Sequence, residues 1–132
     1  MQITIREPGS AITHFIAMML AVFASTPLLI KTAVSDSSVA FTAMVIFMLS
    51  MISLYGASAL YHSVVVKDRM LRIFRKIDHM MIFVLIAGSY TPVCLIVLDK
   101  DSGYMIFGIV WTIAVVGMVI KSVWITSPKW FY

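Results

Sequence analysis

Hydroxyl, imidazole and carboxylate side chains stand close together at two points of a strongly apolar sequence. Ser58 precedes His62 by four residues, and Asp78 comes directly before His79. Residues four apart lie on one stripe of a helix, whereas the side chains of adjacent residues diverge by about 100°. Ser58 and His62 can therefore serve one site together, and only one of Asp78 and His79 can point squarely at it.

The chemistry open to these side chains is metal binding and proton transfer. Imidazole is the commonest metal ligand in proteins, and a carboxylate near it can act as a general base. Asp78 is the better inward candidate, because Ser89 follows it by eleven residues and returns to within about 20° of its direction. The predicted site comprises Ser58, His62 and Asp78, with His79 turned away and with His14 and His79 as weaker candidates.

Less specific roles remain open for the same residues. A histidine at the end of a membrane span can simply reach towards water, and this holds for His62 as for the other two histidines. For Asp78 the alternative is a salt bridge at a helix N-terminus, where a carboxylate is favourable in any case. The basic residues available to it are Arg72, Arg75 and Lys76.

The composition shows what kind of element must position these residues. Of the 132 residues, 61% are hydrophobic and 12% are charged, and the mean hydropathy is +1.01. Soluble domains have roughly 45–50% apolar and 25% charged residues, and disordered chains have fewer apolar residues still. Both classes are excluded. The single cysteine, Cys94, cannot form an internal disulfide and lies about 24 Å along the helix from Asp78, too far to share a site with it.

Four stretches are long and apolar enough to cross a bilayer, which takes about 20 helical residues each. They are residues 12–30, 39–61, 80–98 and 104–123. The first is longer than the apolar part of a typical signal peptide and has no convincing cleavage site, so we expect it to be retained. The predicted fold is an all-α, polytopic membrane protein with a single membrane domain over residues 1–132.

The basic residues predict the orientation, because cytoplasmic loops hold an excess of Lys and Arg. Only Lys31 and Lys100 fall on one side of the predicted membrane. The other side holds Arg6, Lys67, Arg69, Arg72, Arg75, Lys76, Lys121 and Lys129. We therefore expect a multi-pass protein of the bacterial inner membrane, with the N-terminus, residues 63–78 and residue 132 in the cytoplasm. The net charge of +4 then reflects topology rather than nucleic-acid binding.

This orientation places all three histidines and Asp78 at cytoplasmic ends of spans. Met70, Phe74, Ile77 and Met81 recur at helical spacing in the basic segment, which predicts an interfacial helix that runs into the third span. Anchoring to anionic headgroups is favoured for it over recruitment of a specific lipid. Small residues such as Gly108 with Thr112 indicate close helix packing. An interfacial aromatic cluster is predicted from Trp124, Trp130, Phe131 and Tyr132.

The motifs together resemble those of the bacterial haemolysin III family, which is related to the progestin and adipoQ receptors. The resemblance covers nearly the whole chain in order. It is carried by Ser58-Ala-Leu-Tyr-His62, Arg75-Lys-Ile-Asp78-His79, Ala87-Gly-Ser-Tyr-Thr-Pro92, Glu7 with Thr13-His14, and Gly108-Ile-Val-Trp111 with Gly117 and Lys121.

The resemblance implies a seven-helix fold of which this chain contains the first four helices. It also implies a zinc ion near the cytoplasmic side, with His62 as a direct ligand, Ser58 as a neighbouring polar group and Asp78 as the partner of the metal-bound water. The family's remaining ligands come from an HxxxH motif on its last helix, and these 132 residues contain no such motif. We therefore interpret the chain as the N-terminal part of a longer protein with an incomplete site.

Three functions remain open at this stage. The intact protein could be a zinc-dependent hydrolase of a lipid amide or ester, in which Asp78 and Ser58 take part in catalysis and membrane lipids supply the substrate. It could instead be a pore-forming cytolysin or channel, as the family name implies. The third alternative is an inactive fragment, and we expect the chain alone to bind zinc poorly, because hydrolytic zinc takes about three protein ligands.

Overall fold

The computed structural model describes residues 4–35 and 37–123, which form four long helices and no strand. Helix α1 spans Pro8–Ala33, α2 spans Ser38–Ser63, α3 spans Asp68–Pro92 and α4 spans Lys100–Val123. A π-helical turn, Val93–Val97, continues α3. The most apolar stretches of the four have a mean hydropathy between 1.8 and 2.2. The prediction of four apolar helices long enough to span a membrane is therefore confirmed.

The helix ends are set by local sequence. Pro8 occupies the first turn of α1, where its missing N–H costs no hydrogen bond. The hydroxyl of Ser37 accepts a hydrogen bond from the Ala40 N–H at 3.2 Å and so caps α2. Asp99 caps α4, because its Oδ2 accepts from the Ser102 N–H at 3.1 Å. The hydrogen bonds from Ser102 hold the pKa of the exposed Asp99 carboxyl below its ordinary value.

The segment predicted as an interfacial helix forms the first turns of α3. Residues 68–81 continue without a break into the apolar part of that helix. Including the π-helical turn, the element has 30 residues, which corresponds to about 45 Å at 1.5 Å per residue. A hydrocarbon core is only about 30 Å thick, so the element is longer than a crossing along the bilayer normal requires.

The helices pack in the order of the sequence and form an open row. Helix α1 contacts α2, α2 contacts α3, and α3 contacts α4, whereas within the described residues the backbone of α1 does not approach α3 or α4. Short connections make neighbouring helices antiparallel, so the start of α1 meets the end of α2. The α1–α2 and α2–α3 contacts therefore position the functional candidates at that end.

Small side chains occupy the contacts between helices. Ala43 and Ala87 are fully buried, and a Cβ built on Gly88 would lie 2.6 Å from the Cβ of Ser50. Membrane helices associate through such residues because lipid tails are as apolar as leucine, so close packing of backbones replaces the hydrophobic effect. Most of the large apolar side chains accordingly point outward.

A polar contact joins α3 to α4 at membrane depth. The Trp111 Nε1–H donates to the Thr91 hydroxyl at 3.1 Å, and that hydroxyl donates to the Ala87 carbonyl at 2.8 Å. Thr91 is fully buried. The packing face of α4 carries Gly103, Ala114 and Gly117 among its small residues.

The close packing predicted for Gly108 with Thr112 is not observed. Among residues 4–35 and 37–123, no atom outside the neighbouring backbone of α4 lies within 4 Å of a Cβ built on Gly108, and Thr112 is exposed. Gly108 follows Gly103 by five residues, which turns it about 140° away from the packing face of α4. The predicted aromatic cluster of Trp124, Trp130, Phe131 and Tyr132 lies outside the described residues.

Candidate functional site

The centre of the candidate site lies where the first turns of α1 meet the last turns of α2. A hydrogen bond joins His14 Nδ1 to the hydroxyl of Ser58. Ser58 is buried, with 3% of its surface exposed. The ring of Tyr55, on the same stripe of α2, meets the His14 ring edge to face with 6.2 Å between their centroids. Ser58 and Tyr55, which share one stripe of α2, therefore both face α1.

The residues that precede α1 hold His62 from the other side. The carboxylate Oε2 of Glu7 lies 2.6 Å from His62 Nδ1, and the Glu7 N–H donates to the His62 carbonyl at 3.0 Å. That carbonyl is among the last in α2, which have no partner within the helix. Arg6 contacts Glu7 at 3.0 Å and stacks on the Tyr61 ring at 4.1 Å. The N-terminal segment, residues 4–7, is therefore bound to the end of α2 through Arg6 and Glu7.

Neither Arg6 nor Glu7 was among the predicted site residues. The sequence contained one relevant signal, since Glu7 is the carboxylate immediately before the first span, at the same predicted membrane side as His62. What the sequence does not contain is the path of residues 4–7 across α2, which depends on how closely α1 packs on that helix.

His14 and His62 form a pair of oriented imidazoles. Their ring centroids are 5.5 Å apart and the ring planes are inclined by 83°. Ser58 engages Nδ1 of one ring and Glu7 engages Nδ1 of the other. Each ring keeps its Nε2 free of a hydrogen bond to residues 4–35 and 37–123.

Asp78 and His79 lie together in the first half of α3. Asp78 Oδ2 is 3.7 Å from His79 Nδ1, and the side chains are 13% and 25% exposed. The His79 Nδ1–H donates to the Arg75 carbonyl at 2.7 Å, one turn earlier in the same helix. Nδ1 of His79 is thus engaged by its own helix.

The structure gives Asp78 no link to the first pair. Within the described ranges, no hydrogen bond or ion pair joins Asp78 to Ser58 or His62. The alternative salt bridge from Asp78 to a basic residue of α3 is not formed within the described residues either. The Arg72 and Arg75 side chains make no hydrogen bond or ion pair there, and Lys76 donates to the Ser122 carbonyl at 2.5 Å. Membership of Asp78 in the site stays a prediction.

The metal-binding capacity of these side chains is partial. Among residues 4–35 and 37–123, no three His, Cys, Asp or Glu side chains lie close enough together to hold a metal ion. Cys94 is buried beside Gly103 at the opposite end of the helices, as expected from its distance along α3.

An apolar cavity opens between α1 and α2 in the turns that carry the histidine pair, although neither His14 nor His62 lines it. Its volume is about 420 Å³. The α2 residues that line the cavity come from the same two turns of the helix as Ser58 and His62. Apolar side chains from both helices form its walls, including Ile12, Phe15, Met18, Ala59 and Leu60.

Comparisons with known proteins identify relatives of this chain. Residues 2–132 match the family model described as haemolysin-III related. The chain is 36% identical over 115 residues to "Hemolysin-3" of Bacillus cereus, covering 87% of this chain and 52% of that protein. It is 40% identical over 119 residues to "Hemolysin-3 homolog" of Bacillus subtilis (strain 168), covering 89% of this chain and 55% of that protein. No solved structure matches significantly. The chain thus spans about half the length of these curated relatives.

Proposed function

The chain belongs to the haemolysin-III related family, and from that premise we propose that it supplies part of the site of a zinc-dependent hydrolase that acts on a lipid amide or ester. The observation that supports this proposal is the pair formed by His14 and His62, in which each Nδ1 is already engaged and each Nε2 is free within the described residues. Histidines that bind metals usually have this arrangement, since a second hydrogen bond orients the ring and sets its tautomer.

The imidazole groups are suitable ligands for zinc, but the described residues provide fewer of them than a hydrolytic zinc site needs. Zinc binds imidazole nitrogen readily, and the carboxylate of Glu7 on His62 is a common outer partner of such a ligand. A hydrolytic site takes three protein ligands, whereas the described residues contain no group of three. We propose His62 as the direct ligand and His14 as a weaker candidate, with the remaining ligands outside this chain.

The proposed reaction is attack of water on the carbonyl carbon of a lipid amide or ester, followed by cleavage of its C–N or C–O bond. When bound, zinc would supply a hydrolytic nucleophile at neutral pH and polarise the carbonyl. Asp78 is the proposed acceptor of the proton that water releases and its donor to the leaving amine or alcohol. The buried Ser58 hydroxyl, hydrogen bonded to His14, is proposed to position these groups.

A lipid is the proposed substrate because of where the site lies. The histidine pair stands at the end of two apolar helices, so a molecule that moves within one leaflet can reach it sideways. The adjacent cavity of about 420 Å³ has apolar walls suited to part of an acyl chain.

The test is metal analysis of a longer protein that contains these 132 residues. We expect about one zinc per chain, and we expect the His62→Ala variant to lose it. His79→Ala is the matched control and should keep the metal, because His79 directly follows Asp78 and its side chain diverges by about 100° from that of the predicted inward residue. Release of fatty acid from lipid amides and esters, followed by mass spectrometry, should disappear together with the metal. Zinc retained by His62→Ala would refute the proposal.

Membrane lysis is the second candidate, and the names of the Bacillus relatives favour it. Lysis by a pore needs no metal, so the two functions separate in one experiment. Leakage of a trapped dye from vesicles that persists in His62→Ala and in the presence of a chelator, without lipid cleavage, would support the second candidate against the first.

A further inference from the structure

Cationic side chains are concentrated at the end of the molecule where α3 begins and α4 ends. The described residues at the membrane side that contains His62 include seven Lys and Arg and only three Asp and Glu. Glu7 is engaged by Arg6 and His62, and Asp78 lies beside His79. Asp68 is the one acidic residue left, and no ion pair joins it to an arginine within residues 4–35 and 37–123.

Three of these cations lie on one stripe of α3. Arg69, Arg72 and Lys76 follow at spacings of three and four, which places them on one side of the helix over about 10 Å. Lys76 donates to the Ser122 carbonyl and so shows that the stripe faces the end of α4. Arg69 and Arg72 precede it towards the cytoplasmic end, are exposed, and have no hydrogen bond or ion pair within the described residues.

Apolar side chains are exposed in the same turns. Met70, Ile73 and Ile77 are 44%, 43% and 40% exposed. Each directly follows one of the three cations Arg69, Arg72 and Lys76 in the sequence. This surface therefore presents cationic and apolar side chains next to one another. Residues 124–132, which follow α4, contain no Asp or Glu that could neutralise the cations.

We propose that Arg69 and Arg72, with the adjoining apolar residues of α3, bind the headgroup of an anionic phospholipid at the α3–α4 end of the molecule. Guanidinium groups form paired hydrogen bonds with phosphate oxygens, and basic pockets between membrane helices are suited to such headgroups. The exposed Met70, Ile73 and Ile77 favour a molecule that carries both a phosphate and acyl chains over free phosphate. The site is separate from the histidine pair and does not depend on the proposed hydrolysis.

The experiment is native mass spectrometry of the purified 132-residue chain in neutral detergent, titrated with phosphatidylglycerol and, separately, with phosphatidylcholine. We expect phosphatidylglycerol to bind more tightly. Because each cation near an anionic headgroup contributes about fivefold, the Arg69→Gln/Arg72→Gln variant should bind it at least about fivefold more weakly. The matched control, Lys31→Gln/Lys100→Gln, removes the same charge from the opposite end and should leave the affinity within about twofold.

Further measurements keep the proposal testable if the variant is poorly folded. For the unmodified chain, added sodium chloride should weaken the binding of phosphatidylglycerol but not that of phosphatidylcholine. Inorganic phosphate at matched ionic strength should not displace the lipid, and displacement by it would identify a free-anion site instead. Equal loss of affinity in both double variants, binding insensitive to salt, or no preference for phosphatidylglycerol would each overturn the proposal.

Discussion

At the scale of single residues, the hydrogen bond that orients each imidazole at Nδ1 matters as much for metal binding as the Nε2 atom that stays free. His62 is held by Glu7 through both a side-chain and a backbone hydrogen bond, and His14 is held by the buried Ser58. A side chain that has lost its rotational freedom before a ligand arrives loses less entropy on binding. The N-terminal segment is thereby part of the candidate site, although it lies outside every membrane span.

Glycine 88 offers a sharp test of packing at one residue. In Gly88→Ala the new Cβ would overlap the Ser50 hydroxyl oxygen and lie 2.6 Å from the Ser50 Cβ, so α2 and α3 must move apart. We expect a loss of about 1–3 kcal/mol in the free energy of unfolding, as is usual for overpacking. Denaturation of the protein in mixed micelles, followed by circular dichroism, measures it.

The matched control is Gly108→Ala, because the described residues place nothing within 4 Å of the added Cβ beyond the helix's own nearby backbone. Alanine is the better helix former by up to about 1 kcal/mol, so this variant should be neutral or more stable. Equal destabilisation by both changes would contradict the contact between Gly88 and Ser50.

At the scale of helices, both ends of α4 are held by side chains that lie outside that helix. Lys76 donates to a carbonyl in the last turn of α4, where a cation is also favourable to the helix dipole. Asp99 serves the first turn of the same helix. The two ends of α4 therefore depend on residues outside it.

Replacing Lys76 by methionine should loosen the end of α4. The carbonyl of Ser122 loses its donor while the apolar stem of the side chain is kept. We expect the last turn of α4 to exchange its amide hydrogens several-fold faster, since a hydrogen bond contributes about 1 kcal/mol. Arg75→Gln is the control, as the Arg75 side chain is exposed and has no partner in the described parts of the chain. Unchanged exchange in Lys76→Met would contradict the contact.

The cap at Asp99 should depend on pH. Its pKa is lowered below the ordinary value of 3.8 by hydrogen bonds from Ser102, so the carboxylate stabilises the helix start above that value. The stabilisation is lost as the pH falls through the lowered pKa, because the protonated group is a weaker acceptor. In Asp99→Ala, the Ser102 amide should exchange faster than in the unmodified chain at neutral pH, and this difference should vanish in acid. A difference independent of pH would argue against the charged cap.

At the scale of the whole molecule, the row of helices leaves both outer helices with a single helical neighbour. Helix α1 packs only on α2, and α4 only on α3 with its π-helical turn, within the described residues. The histidine pair lies in the α1–α2 contact of this row, while the proposed lipid headgroup site lies at the α3–α4 end. The two surfaces can therefore be altered independently.

Orientation in the membrane is tested by cysteine labelling. With Cys94→Ala as background, a cysteine at Arg69 should react with an impermeant reagent only from the cytoplasmic side, and a cysteine at Ser102 only from outside. The expectation follows from the excess of Lys and Arg at the end that contains Arg69. Labelling of Arg69→Cys in intact cells would reverse the orientation and with it the cytoplasmic location of the proposed site.

Zinc content tests the completeness of the site in these 132 residues. We expect the purified chain to hold far less than one tightly bound zinc, because the described residues offer only the imidazoles of His14 and His62 in one place. Elemental analysis after mild chelation measures it. One zinc per chain that is lost in both His62→Ala and His14→Ala would mean that the four helices carry a complete metal site.

The helices themselves could be predicted from the sequence, because crossing a bilayer demands about 20 apolar residues whose backbone groups are satisfied within the segment. The continuity of the basic segment with α3 followed from the helical spacing of Met70, Phe74 and Ile77. The family was also recognisable from the motifs around Ser58, His62 and Asp78. Each of these properties depends on residues that are close together in the sequence, so it can be predicted from their spacing and composition.

The partners of the site residues were decided by tertiary structure. Helical spacing placed Ser58 and His62 on one stripe, but it could not show that His14 would engage the first and Glu7 the second, since these contacts join positions 44 and 55 residues apart. The same limit applies to Gly108. Its small size suggested close packing, but α4 is rotated about its axis so that Gly108 faces away from α3. Contacts between helices depend on how far each helix is rotated about its axis, and in a membrane that rotation is set by the close packing of small residues rather than by apolar periodicity.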